Sequence, residues 1–187
     1  MKLEFPPEYI LYDTEWTSWE GFMQQNWQAP GKYREIIQIG ALRVDGASLI
    51  EKDSFSIFVK PIKNSQLSEY VVNLTGITQE KIDTEGKTLE GALKNFSSFC
   101  GNLTLYSWGD DVGPLKENCK LVGVPFLLTN ESISLKPLLR PALTERGIDI
   151  DKYYSGTLIQ AFGKTGGRAH DAVNDMRNLL EVLRELK

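Results

Sequence analysis

YILYDTEWT, residues 9–17, runs from four apolar residues, Tyr9 to Tyr12, directly into two carboxylates, Asp13 and Glu15. The apolar run reads as a first β-strand, on which residues i and i+2 point to one face. Asp13 and Glu15 can therefore reach the same cation pair, while Thr14 points to the other side. Taken alone, an acidic pair at a strand end is a common surface feature. Its weight comes from the far end of the chain, where GRAHDAVND (167–175) holds the only histidine, His170, five residues before Asp175. A fold that joins the two ends makes a carboxylate-rich metal site with one imidazole beside it, equipment suited to cutting a phosphodiester.

Outward from residues 9–17, Ile36 to Val44 is rich in β-branched and apolar residues and reads as a second strand. Asp45-Gly46 supplies a turn into a third, from about Leu49 to Val59, and Pro61 ends it because proline cannot donate to a ladder. Between the first two strands lies an aromatic insertion at 16–33, with Trp16, Trp19, Phe22, Met23 and Trp27. Leu89, Leu93, Phe96 and Phe99-Cys100 recur at helical spacing, with Gly101 as cap before a short strand, Leu103 to Ser107. Further helices are predicted from Asp111 or Val112 to about Leu121, from Leu135 to Arg146 despite Pro137 and Pro141, and from Tyr153 to Phe162. Gly163 to Gly167 is a loop delivering His170 to the last helix, whose apolar side is Ala172, Val173, Met176, Leu179, Leu180 and Leu183. The order βββαβα, followed by helices, predicts the α/β class with a mixed central sheet flanked by helices.

At 187 residues and 41% hydrophobic content the chain can bury a core of its own, so 1–187 is read as a single domain. MKLEFPPEYIL lacks the basic segment and long apolar run of a signal peptide, and no stretch approaches eighteen apolar residues, so neither secretion nor a membrane span is expected. Cys100 and Cys119 form no CxxC and read as buried thiols in a reducing compartment, which makes the expected location cytoplasmic. A net charge of −4 argues against wrapping a long duplex, yet it is compatible with gripping a few nucleotides at one end, where bound cations reverse the local potential.

Asp171 and Asp175 are four apart and share a helix face, whereas His170 and Asp175 are about 140° apart around an ideal helix. His170 must therefore precede the first turn for its ring to lean across the site. Trp108-Gly109-Asp110-Asp111 supplies one more carboxylate. Adjacent aspartates cannot both point one way, so one is a ligand and the other a helix cap. Leu115 and Cys119 follow Asp111 at helical spacing and favour it as the ligand, with Asp110 left open.

With these residues in view, the chain resembles the histidine-containing (DEDDh) branch of the DEDD superfamily of 3′-to-5′ exonucleases, and within it the group of histone-mRNA and small-RNA trimming exonucleases. The resemblance rests on DxExT at Asp13, Glu15 and Thr17, EIIxIGA at Glu35 to Ala41, FxxFVKP at Phe55 to Pro61, LTGIT at Leu74 to Thr78, the WG pair Trp108-Gly109, and HxxxxD at His170 and Asp175. These pieces occur in family order over about residues 9–183. Members often have one more residue between the WG pair and the catalytic aspartate than Asp111 leaves, which again touches the choice between Asp110 and Asp111. The resemblance implies a ribonuclease H-like fold and two divalent cations, Mg²⁺ or Mn²⁺, held by Asp13, Glu15, Asp111 and Asp175. It further implies His170 as general base, and a pocket for the 3′-terminal nucleoside involving Thr14, Thr17, Leu74, Thr75 and Trp108. The expected partner is the 3′ end of single-stranded RNA or DNA, and the product a nucleoside 5′-monophosphate. Rings of the aromatic insertion can pack as a flap on the sheet or stack on the terminal bases.

Two other classes fit parts of the pattern. One is a nucleic-acid binding module with weak or no catalysis, against which the full acidic set argues. The other is an oligoribonuclease or nucleotide phosphohydrolase acting on very short substrates, for which the scarcity of basic runs argues. Sugar preference depends on contacts to the 2′-OH that sequence does not reveal. A homodimer is equally compatible with the sequence.

Overall fold

The computed structural model describes residues 4–25 and 29–187. Its strands are β1 (Glu8–Trp16), β2 (Ile36–Asp45), β3 (Ile50–Phe58), β4 (Leu105–Ser107) and β5 (Ser132–Ser134), in the sheet order β3-β2-β1-β4-β5. The β1–β2 and β2–β3 pairs are antiparallel, whereas β1–β4 and β4–β5 are parallel. The expected mixed sheet is thus present. The first strand runs past its apolar stretch to include Asp13 and Glu15, and β5 is an edge strand that three polar or half-buried residues gave no reason to expect.

Side chains of β1 alternate between two cores. Tyr9 and Leu11 join the layer under α5 (Leu135–Glu145) and α6 (Ala172–Leu186). Ile10 and Tyr12 join the layer under α3 (Leu89–Cys100) and α4 (Val112–Val122). Continuing that alternation, Asp13 and Glu15 face the α6 side and Thr14 the α4 side. Two short helices, α1 (Glu69–Thr75) and α2 (Gln79–Glu85), cover Ile37 of β2 with a third small cluster of Val71, Ile77 and Ile82. Sequence periodicity missed both, because seven residues are barely two turns. Their signals were the caps: Ser68 and Thr78 accept the Val71 and Lys81 amide hydrogens, and Gly76 (φ 74°) closes α1.

Helix α5 keeps both prolines. Pro137 lies in the first turn, and burial of Leu135, Leu139, Ala142 and Leu143 offsets the amide bond lost at Pro141. The helix expected over Tyr153 to Phe162 is a correction: only Leu158–Phe162 winds, as a 3₁₀ turn. Ser155-Gly156 is instead pressed onto α6, where a Cβ on Gly156 would stand 2.1 Å from the Asp175 carboxylate.

Helix α6 is fixed to the sheet by two features of β2. Gly40 lets the backbones meet, since a Cβ there would lie 2.6 Å from the Val173 nitrogen. Gln38 accepts the Ala172 amide hydrogen at 3.2 Å, satisfying a donor that a helix start leaves open. Asp171 caps the same end by accepting from Asn174 N–H at 3.0 Å. As Asp13 pairs with Gly40 and Glu15 with Gln38 across β1–β2, this docking brings the start of α6 directly against the two strand carboxylates.

Candidate active site

A cleft of about 560 Å³ opens at the carboxyl ends of β1 and β4 and is lined by Asp13, Thr14, Glu15, Asp111, His170 and Asp175. The carboxyl ends of parallel strands are where open α/β sheets hold ligands, because loops diverge there and leave a crevice. The carboxylates come from three places: Asp13 and Glu15 from β1, Asp111 from the β4–α4 junction, and Asp175 from the first turn of α6.

The adjacent aspartates have separate positions. Asp110 is exposed, and its Oδ1 accepts the Gly113 amide hydrogen at 2.9 Å at the start of α4. Asp111 is buried, and its Oδ1 accepts the Thr14 hydroxyl at 2.9 Å. Thr14 reaches it because it faces the α4 side of the sheet, opposite to Asp13 and Glu15.

Burial and mutual repulsion raise the proton affinity of these groups. Asp13 is raised well above the usual carboxylate range by burial, then by the charges of Asp111, Glu15 and Asp175. Glu15 is raised likewise by burial, then by Asp175 and Asp171. Burial lifts Asp111 to about 6 against the opposing Thr14 hydrogen bond. It lifts Asp175 to about 7 against the bond from the His170 amide. No lysine or arginine among the described residues forms an ion pair with any of them. Hard oxygen donors, crowded and without an internal cation, suit a divalent metal ion.

His170 precedes α6, as its angular offset from Asp175 requires. Its backbone is left-handed (φ 62°), and its amide donates to Asp175 Oδ1 at 3.1 Å. The ring is half-buried, 6.1 Å from that of Tyr154, and its pKa is lowered by burial and by Arg168. One ligand atom from each of Glu15, His170 and Asp175 lies within 4.8 Å of the others.

Of the residues expected around a nucleoside, Thr14, Leu74 and Trp108 line the cleft. Thr17 and Thr75 are not among the residues that line it. Thr17 is buried, its hydroxyl donating to Tyr33 C=O at 2.7 Å and accepting from Glu35 N–H at 2.9 Å. Thr75 donates to Val71 C=O at 2.8 Å and accepts from Ile77 N–H at 3.0 Å, closing the end of α1. Trp16, Trp19 and Phe22 of the insertion line the cleft, with Trp19 and Phe22 in edge contact at 5.2 Å and Ser68 donating to Ser18 C=O to tie the segment to α1. Trp27 and the side chain of Met23 lie outside the described residues.

Tyr70, Tyr154 and Ser155 also line the cleft and were not anticipated. The two tyrosines stand 41% and 52% exposed. The available signal was Ser155-Gly156, a pair of small residues breaking a stretch of helical spacing.

Residues 10–183 match the family whose model is described as exonuclease (RNase_T). The probable 3′-5′ exonuclease KapD of Bacillus subtilis is 27% identical over 173 residues, spanning 89% of this chain and 78% of its own length. The 3′-5′ exoribonuclease 1 of Rattus norvegicus is 24% identical over 164 residues, spanning 79% of this chain, which covers 45% of the rat protein. Among solved structures, the nuclease domain of 3′hExo, a DEDDh family member bound to rAMP, superposes with a TM-score of 0.79 at 22% identity over 96% of this chain and 92% of that one. The mixed sheet with flanking helices is thus the ribonuclease H-like exonuclease fold.

Proposed function

This chain belongs to the exonuclease (RNase_T) family, and from that premise we propose that it removes nucleotides from the 3′ end of single-stranded RNA or DNA, releasing nucleoside 5′-monophosphates. The observation that carries the reading is the convergence of Asp13, Glu15, Asp111 and Asp175 with His170 in one cleft. Residues 1–187 act as one catalytic unit in this reading.

The four carboxylates would hold two divalent cations, Mg²⁺ or Mn²⁺, whose chemistry is to acidify a bound water and to neutralise charge developing on the phosphate. His170 takes the proton of the attacking water. Its lowered pKa keeps the imidazole neutral, and so able to accept a proton, at pH 7. Asp175 holds the histidine backbone, and Thr14 holds Asp111. Leu74, Trp108, Tyr70 and Tyr154 offer apolar and aromatic surfaces to the last bases, a mode of contact indifferent to sequence.

A time course on matched RNA and DNA strands labelled at either end, with Mn²⁺, Mg²⁺ or EDTA, tests the reading. Metal-dependent ladders shortening from the 3′ end, absent in Asp13→Ala, are expected. No cleavage of any strand in either metal would overturn it, and turnover restricted to dinucleotides would reassign the substrate to very short chains.

One observation favours a second role for the histidine. Because Glu15, His170 and Asp175 offer ligand atoms within 4.8 Å, His170 is close enough to bind a cation itself. His170→Ala separates the two roles: a base loses kcat by about 10²–10⁴ and keeps metal affinity, whereas a ligand loses affinity.

A further inference from the structure

We infer that Asn178, one turn beyond Asp175 on α6, is the positioning residue that fixes His170 over the carboxylates. The inference rests on reading His170 as the general base.

Asn178 is buried and lines no part of the cleft, yet its side-chain amide is fully used on the two loops that close over Asp175. Its Oδ1 accepts the Gly167 amide hydrogen at 2.8 Å. Its Nδ2 donates to the Gly167 carbonyl at 3.2 Å and to the Gly156 carbonyl at 3.0 Å. With both amide hydrogens and the oxygen engaged, Asn178 pairs with Gly167 as a strand backbone would, and pins the Ser155-Gly156 turn with the same nitrogen.

The loops approach so closely that only glycine fits. A Cβ on Gly166 would stand 2.3 Å from Asn178 Oδ1. The segment carrying His170 is thus held at Gly167 by Asn178 and at Asp171 by its cap on Asn174. Between these points His170 adopts φ 62°, a conformation that non-glycine residues keep only where the surroundings over-determine it. Its own amide bond to Asp175 is one constraint, the clamp three residues earlier is a second, and Arg168, whose guanidinium donates to Asn73 C=O at 3.3 Å, is a third.

The test is a kinetic cycle on the full chain with a 3′-labelled single strand and Mn²⁺. Asn178→Ala and Asn178→Asp are made in the parent and in the His170→Ala background; the aspartate keeps the shape but turns an oxygen toward two carbonyls. Expected in the parent is a kcat loss of roughly 10- to 100-fold, as for a displaced catalytic group, exceeding any change in KM that the freed Ser155-Gly156 turn causes through Tyr154, with the Mn²⁺-induced rise in Tm unchanged. In the His170→Ala background the further loss should stay within about twofold, since removed and misplaced base are the same defect. An equal loss in both backgrounds, a rise in KM instead, or loss of the Mn²⁺ effect overturns the inference while leaving the base reading intact. Wild-type turnover in His170→Ala overturns the base reading and the inference with it. If Asn178 variants fail to fold, Gly166→Ala pries the same contact from the exposed loop and is read by the same criteria.

Discussion

Glu35 and Asp13 are acidic residues of one sheet region, Glu35 buried immediately before β2 and Asp13 near the end of the adjacent β1, and the protein treats them in opposite ways. Glu35 gathers three backbone donors, from Ile62 at 2.7 Å and Lys63 at 2.9 Å on Oε1 and from Asn64 at 2.6 Å on Oε2. It ties the segment after β3 to the sheet, and Asn64 in turn accepts from Tyr33 N–H and donates to Gly31 C=O at the base of the aromatic insertion. Asp13 is surrounded by Asp111, Glu15 and Asp175. A carboxylate matched by amides is a structural clasp, and its charge is settled within the protein. Carboxylates that face one another store unfavourable charge until a cation or proton arrives, so the same residue type gives stability in one place and a metal appetite in the other.

Exchanging charge for a neutral isostere separates the two most sharply. Asp13→Asn should cut turnover by at least about 10³-fold, because an amide cannot replace an anionic metal ligand, yet raise the Tm of the metal-free protein by relieving repulsion. Strand-degradation rates and thermal melts in EDTA check both signs. Glu35→Gln should do the reverse, leaving kcat within a few-fold while costing about 2–4 kcal/mol, since an NH₂ group then meets a backbone donor. At this size that is a fall of roughly 5–15 °C in Tm. A neutral Glu35→Gln would dissolve the contrast.

Next in size is metal linkage. Mn²⁺ at 100 times its dissociation constant should stabilise the folded chain by about 2.7 kcal/mol. Melts of Glu35→Gln should show the full increment, and those of Asp13→Asn little of it.

The last expected effect is on pH. The Asp111 and Asp175 carboxyls titrate at about 6 and about 7 in the folded protein, above their unfolded value near 3.8. Between those limits the folded state holds protons that the unfolded chain has released, so these two groups make stability fall as pH rises from about 4 to 7. Metal-free protein should accordingly melt higher at pH 5 than at pH 8, the difference narrowing in Asp175→Asn and with Mn²⁺ bound. Urea melts at the two pH values measure it. An unchanged slope in Asp175→Asn would show that the cleft carboxylates do not set it.

The three-strand start is legible outward from residues 9–17, because alternation and the Asp45-Gly46 turn encode local geometry. The same alternation places Asp13 and Glu15 together, and angle alone puts His170 ahead of the last helix. Local pattern and structure part where a distant contact competes. Tyr153 to Phe162 has helical spacing, but the Asp175 carboxylate occupies the space beside Gly156. Thr17 and Thr75 sit in motif positions beside the site, yet their hydroxyls are consumed by neighbouring backbone. Asn178 had no distinguishing mark in sequence, since a polar residue on a helix is ordinary until two loops are found resting on it.

By itself the sequence determined strands β1 to β4, the apolar faces of the longer α-helices and the acidic inventory, since each follows from the preference of side chains for one face within a few residues. Only the tertiary structure decided which aspartate of Asp110-Asp111 turns inward, how closely α6 approaches β2 at Gly40, and which loops meet over Asp175. Those outcomes depend on contacts between residues far apart in the chain, whose relative positions are set by packing the two cores rather than by any local periodicity.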